Sequence, residues 1–145
     1  MNQLSPVSSI MTKNVITLNT NDTLLNIKHI FDAKRIHHIP IINEGHLVGI
    51  VSKSDFEKVC VGISCEDGMQ QISDAMYSSI SVDKIMTKKL AKISPDERID
   101  VAALIFHENL FHALPVVTED DTLVGIITTF DLIHHAYKLT STAWK

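Results

Sequence analysis

Gly49-Ile50-Val51-Ser52-Lys53-Ser54-Asp55 returns later in the chain as Gly125-Ile126-Ile127-Thr128-Thr129-Phe130-Asp131, with glycine, hydroxyl and acid in the same places. In each copy a β-branched run ends at a hydroxyl residue, and an acid three positions on opens an amphipathic stretch. The pattern predicts a strand, an N-cap and a helix. A hydroxyl at that cap leaves the first-turn N–H groups facing outward with the positive end of the helix dipole behind them, which is the outline of a phosphate cradle. Ser52-x-x-Asp55 and Thr128-x-x-Asp131 are also capping boxes, in which the acid merely reaches back to the N-cap N–H. Taken singly, each motif is better read as a capping box. The repeat around them shifts the balance toward binding.

That repeat extends over most of the chain. Val7-Ser8-Ser9-Ile10-Met11-Thr12-Lys13 matches Val82-Asp83-Lys84-Ile85-Met86-Thr87-Lys88, and the same spacing carries Leu18 onto Ile93, Leu24 onto Ile99, Phe31 onto Phe106, His37 onto His112 and Pro40 onto Pro115. One added residue then falls in a polar turn, Asn43-Glu44-Gly45-His46 against Thr118-Glu119-Asp120-Asp121-Thr122, where an insertion costs least. Self-similarity at a constant spacing means one supersecondary unit used twice.

Each copy is predicted to begin with a short strand, Val15 to Leu18 or Leu90 to Ile93. A helix should follow at once, because Ser94-Pro95-Asp96-Glu97 offers an N-cap, an N1 proline and an N3 acid, and Asn19-Thr20-Asn21-Asp22 repeats that chemistry with asparagine as cap. Leu24, Ile27 and Phe31, like Ile99, Ala102 and Phe106, recur at helical spacing and predict one apolar face per helix, the aromatic pair belonging to the core. His38 to Ile42 and Ala113 to Val117 are proline-bearing runs, which suits an edge strand or a strand start. Leu47 to Val51 and Leu123 to Ile127 complete β-hairpins, in which Gly49 and Gly125 admit close approach of another backbone or a ligand. The second helices are expected over Asp55 to Val61 and Asp131 to Leu139. The fold class is therefore α/β, with each copy ordered β-α-β-β-α. The repeats occupy residues 7–60 and 80–140, and a connector, intermittently helical over Met69 to Met76, fills 61–79. A unit this small holds little core alone, so the two copies are expected to pack together.

Composition narrows the partners. The 145 residues are 45% hydrophobic with a formal charge of −4, which leaves no broad basic surface for nucleic acid. Apolar runs such as Val101 to Phe106 are too short for a membrane span, and the N-terminus lacks a signal-peptide pattern, so a cytoplasmic protein is expected. Cys60 and Cys65 have no second cysteine pair to complete a metal site and are read as reduced thiols. Eight histidines include the doublets His37-His38 and His134-His135, but adjacent residues point in different directions and no metal-ligand spacing accompanies them. No nucleophile elbow and no phosphate loop occurs, and no catalytic residue is assigned.

Two ordered copies of Ile-Met-Thr, a proline followed by apolar residues, Leu-Val-Gly-Ile and Ser/Thr-x-x-Asp resemble the tandem cystathionine β-synthase (CBS) domain pair, or Bateman module. The resemblance implies two α/β repeats packed about a pseudo-twofold axis, with clefts that in many members take adenine nucleotides, here AMP, ADP or ATP as regulatory ligand with no required cofactor. It makes Asp55 and Asp131 the ribose-binding acids, a task that suits a carboxylate because its oxygens accept from both hydroxyls of a cis-diol. Ser52 and Thr128 match the hydroxyl that contacts phosphate or ribose, with Lys53 and Ser54 adding donors in the first copy and Thr129 and Phe130 replacing them in the second. His37 and His112 match a phosphate-contacting histidine of some nucleotide-sensing members. Arg35 and Lys34 accompany His37, whereas Leu110 and Asn109 stand in the second copy. Adenine is expected against Val15, Ile16 and the Thr12 to Asn14 segment, or against Leu90, Ala91 and Thr87 to Lys89. The resemblance also implies a stand-alone homodimeric sensor that signals through a conformational change to an effector protein. The alternatives are an interaction module with empty clefts, or one that takes S-adenosylmethionine or a divalent metal.

Overall fold

A computed structural model describes Asn2 and residues 4–67 and 71–139. The first copy forms β1 (Leu18–Asn19), α1 (Leu24–Ala33), β2 (His38–Asn43), β3 (His46–Ser52) and α2 (Lys53–Asp67). α3 (Asp74–Ser79) follows, and the second copy forms α4 (Ile99–Asn109), β4 (Ala113–Val117), β5 (Leu123–Thr128) and α5 (Thr129–Tyr137). β1, β2 and β3 make one sheet in that order, with β1 parallel to β2 through Leu18 opposite Ile41. β4 and β5 pair antiparallel, Pro115 opposite Ile126.

The chain condenses into two compact units that cut across the sequence copies. One comprises residues 16–44 and 48–90. Its core is built from Leu24, Ile27 and Phe31 of α1, Ile39 and Ile41 of β2, Val51 of β3 and Phe56 of α2, with the Phe31 and Phe56 rings 5.7 Å apart. Val82, which opens the second copy's Ile-Met-Thr segment, is fully buried in this core. The other unit holds residues 4–15, 45–47 and 91–139. Its core joins Ala102 and Phe106 of α4, Leu114 and Val116 of β4, Ile127 of β5 and Ile93 to Val7 from the first copy. Each opening 3-10 turn, Val7–Ser9 or Val82–Lys84, thus completes the core of the other copy's helix and strands. Burying a valine of this kind contributes about 1.5–3 kcal/mol.

Several local expectations are corrected. The predicted opening strands shrink to β1 in the first copy and, in the second, to one parallel bridge between Ile93 and Val116. The first helices begin later than their apparent caps. The carboxylate of Asp22 accepts from the Asn19 N–H at 2.7 Å, and the Ser94 carbonyl accepts from the Glu97 N–H at 3.1 Å, so both segments are turns. Side chains that cap helices close turns by the same local bonds, which is why the two look alike in sequence. The working cap of α1 is Thr23, whose N–H donates to Asn26 Oδ1 at 2.9 Å, and α4 starts after Arg98 with Asp100 in its first turn.

The prolines lie inside their strands, and β2 has a neighbour on each side. Pro115 is tolerated because Ile126, opposite it, donates its N–H to the Thr12 carbonyl at 3.0 Å and accepts from the Thr12 N–H at 2.9 Å. Pro115 and Ile126 are therefore a pair without mutual hydrogen bonds, where a missing N–H leaves nothing unsatisfied. α2 continues past Val61 to Asp67, so the expected connector begins inside a helix. The helical stretch expected from Met69 starts at Asp74, capped by Ser73 Oγ accepting from the Met76 N–H at 3.2 Å, while residues 68–70 lie outside the described residues. No helix among the described residues is long and apolar enough to cross a membrane.

Candidate functional site

In the unit of residues 16–44 and 48–90, β3 delivers Ser52 to the start of α2. Ser52 Oγ accepts from the Asp55 N–H at 3.1 Å and lies 3.2 Å from Ser54 Oγ. The Asp55 carboxylate, half-buried in the first turn, accepts no hydrogen bond among the described residues. The box is half made, and its acid keeps its acceptor capacity. The Lys53 N–H donates to the His37 carbonyl at 2.8 Å, which brings the loop after α1, with Arg35 and His37, to the start of α2. Among the described residues neither Arg35 nor Lys53 forms an ion pair, so both charges are open to an anion. Asp32 is held below the usual carboxylate range first by its hydrogen bond from Lys28 and more weakly by the charges of His29 and Lys53.

The second motif uses the same residue types differently. Thr128 Oγ1 accepts from the Asp131 N–H at 3.3 Å, and Asp131 Oδ2 accepts from the Thr128 N–H at 2.8 Å and from the Thr128 hydroxyl at 3.0 Å. Thr12 Oγ1 stands 3.4 Å from the other oxygen, Oδ1, and Asp131 is only 4% exposed. Here the capping box is complete and its acid is covered. The Thr129 N–H donates to the His112 carbonyl at 3.1 Å, which repeats the His37–Lys53 link.

The segments expected against adenine are distributed by the exchange of opening turns. Thr12 and Val15 fall in the unit of Asp131, and Ile16 in the unit of Asp55. Thr87 and Leu90 fall in the unit of Asp55, and Ala91 in the unit of Asp131. Thr87 pairs with Ile50 just before the Ser52–Asp55 motif, and Met86 lies against Gly49, where an added Cβ would overlap its sulfur. Met11 does the same at Gly125, with Sδ 2.6 Å from the place of a Cβ. The glycines were legible as points of close approach, but the methionines that approach them were not. No local pattern links Met11 to Gly125.

Elsewhere, a groove of about 520 Å³ lined by Lys28, Cys60, Ser64 and Tyr77, among others, holds none of the expected site residues. Cys60 carries a free thiol, and the Cys65 side chain lies outside the described residues. Among the described residues no three His, Cys, Asp or Glu side chains converge as metal ligands.

The family model of the CBS domain matches residues 7–62 and again residues 82–138. The chain belongs to the CBS-domain family. Among curated proteins, this CBS pair is 28% identical to an uncharacterized protein of Methanocaldococcus jannaschii, covering 88% of this chain and 88% of that one. It is 30% identical to a homoserine O-acetyltransferase of Methanococcus vannielii across 84% of this chain, but spans only 23% of that enzyme. Among solved structures it is similar to the CBS domain pair of protein MJ0100 in complex with 5'-methylthioadenosine and S-adenosyl-L-methionine, at 25% identity and a TM-score of 0.74, covering 93% of this chain and 98% of that one. It is also similar to the CBS domain of a membrane protein from Sphaerobacter thermophilus, at 25% identity and a TM-score of 0.71, covering 90% and 87% of the two chains. The match in two stretches accounts for the doubled motif, and the two CBS repeats carry their acids in different states.

Proposed function

We propose that this CBS pair is a regulatory module that binds an adenosine-bearing ligand, AMP, ADP or ATP, with Asp55 holding the ribose and Lys53, Arg35 and His37 holding phosphate. The observation that carries it is the Asp55 carboxylate at the start of a long helix, to which the Lys53–His37 backbone bond also brings Arg35; among the described residues the carboxylate accepts no hydrogen bond and neither cation forms an ion pair. A carboxylate so placed accepts both hydroxyls of a cis-diol, and the first-turn N–H groups with the nearby cations suit the phosphate. The relative crystallised with 5'-methylthioadenosine and S-adenosylmethionine supports the adenosine part and makes S-adenosylmethionine the second reading.

The module acts as a homodimer that passes its ligand state to an effector protein. The dimer is supported by Leu104 on α4 and Ile133 and Tyr137 on α5, which are 57%, 49% and 75% exposed on a pair of helices that pack together. Large apolar side chains left this exposed are what a second copy covers. Ligand shifts the module between arrangements only through different affinity for each of them, so regulation requires that difference as well as tight binding.

A thermal-shift and calorimetry panel of AMP, ADP, ATP and S-adenosylmethionine, run on the wild-type chain and on Asp55→Asn, tests the reading. The midpoint should rise with at least one adenosine ligand, and the rise should vanish in Asp55→Asn. An unmoved midpoint with every ligand, or an undiminished rise in the variant, would overturn it.

A further inference from the structure

The two acids share a sequence motif and a backbone setting, yet one is open and the other covered. Thr87 and Ile50 exchange backbone hydrogen bonds at 3.1 and 2.9 Å, and Thr12 and Ile126 do so at 2.9 and 3.0 Å. Thr87 is exposed and makes no side-chain hydrogen bond to Asp55 among the described residues, whereas the Thr12 hydroxyl faces Asp131 Oδ1. A cis-diol needs acceptor lone pairs that it can reach. Oδ2 of Asp131 already takes two bonds from Thr128, and Oδ1 is the oxygen on which Thr12 sits.

We infer that Thr12 is a specificity-determining residue that closes the Asp131 motif to ribose, so that each chain takes a single adenosine ligand, at Asp55. This rests on the reading of Asp55 as the ribose acid. At 3.4 Å the hydroxyl contact is long for an O–H···O bond, so Thr12 acts by covering the carboxylate more than by bond strength. Its position is held by backbone bonds to Ile126, which any residue can make. Removing the side chain therefore uncovers the acid without unpairing the strand.

The test is binding stoichiometry by calorimetry, with AMP, 5'-methylthioadenosine and S-adenosylmethionine as probes, on wild type, Thr12→Ala, Asp55→Asn and the double variant. Expected are one site per chain in wild type, two in Thr12→Ala, none in Asp55→Asn and one in the double variant. The wild-type count stands whether or not Thr12→Ala folds, and Thr12→Ser, which keeps the hydroxyl, should stay at one. Two sites in wild type would overturn the inference. A single site in Thr12→Ala that Asp55→Asn abolishes would also overturn it, while leaving the Asp55 reading intact. Binding confined to Thr12→Ala and the double variant would support the closure by Thr12 and sink the Asp55 reading. No binding by any of the four would overturn both.

Discussion

Thr12 and Ile126 exchange two backbone hydrogen bonds, at 2.9 Å from the Thr12 N–H and 3.0 Å from the Ile126 N–H, and so tie the first copy's opening segment to the second copy's last strand. The contact places Met11 over Gly125 and Thr12 over Asp131. Local geometry at the second motif depends on residues from the far end of the chain, and this dependence can be measured.

Gly125→Ala should destabilise the chain by about 1–3 kcal/mol, the usual range for overpacking. A Cβ there would stand 2.6 Å from Met11 Sδ and 3.0 Å from the Thr12 carbonyl oxygen, and that carbonyl is held by its bond from Ile126. At Gly49 the three atoms nearest to an added Cβ all belong to the Met86 side chain, whose thioether end can turn away, so Gly49→Ala should cost less. Urea unfolding of both variants decides it. An equal or larger loss in Gly49→Ala would show that the backbone carbonyl is not the obstacle.

The two acids should separate stability from binding. Asp131→Ala removes a complete capping box around a buried carboxylate and should cost about 1–3 kcal/mol. Asp55→Ala removes a half-buried carboxylate that accepts no hydrogen bond among the described residues and should stay within about 0.5 kcal/mol, while weakening nucleotide binding more than Asp131→Ala does. Denaturation and calorimetry on the same preparations would expose a reversal of either order.

Lys53→Ala should weaken AMP binding about tenfold or more, a charge-assisted bond being worth about 1.5–3 kcal/mol, and leave adenosine binding nearly unchanged. Equal losses for the two ligands would remove Lys53 from the phosphate end.

Ile133→Glu should yield a monomer by light scattering at micromolar concentration, because it places a charge beside the exposed Tyr137, one turn further along α5. A wild-type chain already monomeric under those conditions would count against the dimer.

Burial pushes the Cys60 thiol above its ordinary range, opposed by the Tyr77 hydroxyl 3.9 Å from Sγ. A group raised in the folded state stabilises below its unfolded value, and that contribution is lost as pH rises through the folded value. Stability should therefore fall as pH climbs beyond the ordinary thiol range of about 8.5. Cys60→Ala should show a smaller drop between neutral pH and pH about 10, read from urea midpoints. Identical drops would mean that Cys60 is no more buried folded than unfolded.

The repeated motif, the alternation of strand and helix and the apolar faces of α1 and α4 were all readable in order. Each depends on residues a few positions apart, and the buried Leu24, Ile27, Phe31, Ile99, Ala102 and Phe106 are the ones the spacing picks out. Helix starts were less legible, because Ser94 and Asn19 make bonds common to turns and caps.

The sequence by itself determined the doubled α-β-β-α order, the family and the candidate acids, since these follow from local periodicity and from motifs repeated along the chain, whereas the opening strand it predicted for each copy survives as a strand only in the first. Tertiary structure alone decided that Val7 and Val82 are buried in the core of the other copy, and that Asp131 is covered by Thr12 while Asp55 is left open. The physical reason is that strand pairing is a contact between distant segments. Ile126 and Ile50 offer the same N–H and C=O groups to any partner, and the pairing each of them makes follows from how the whole chain buries its apolar residues.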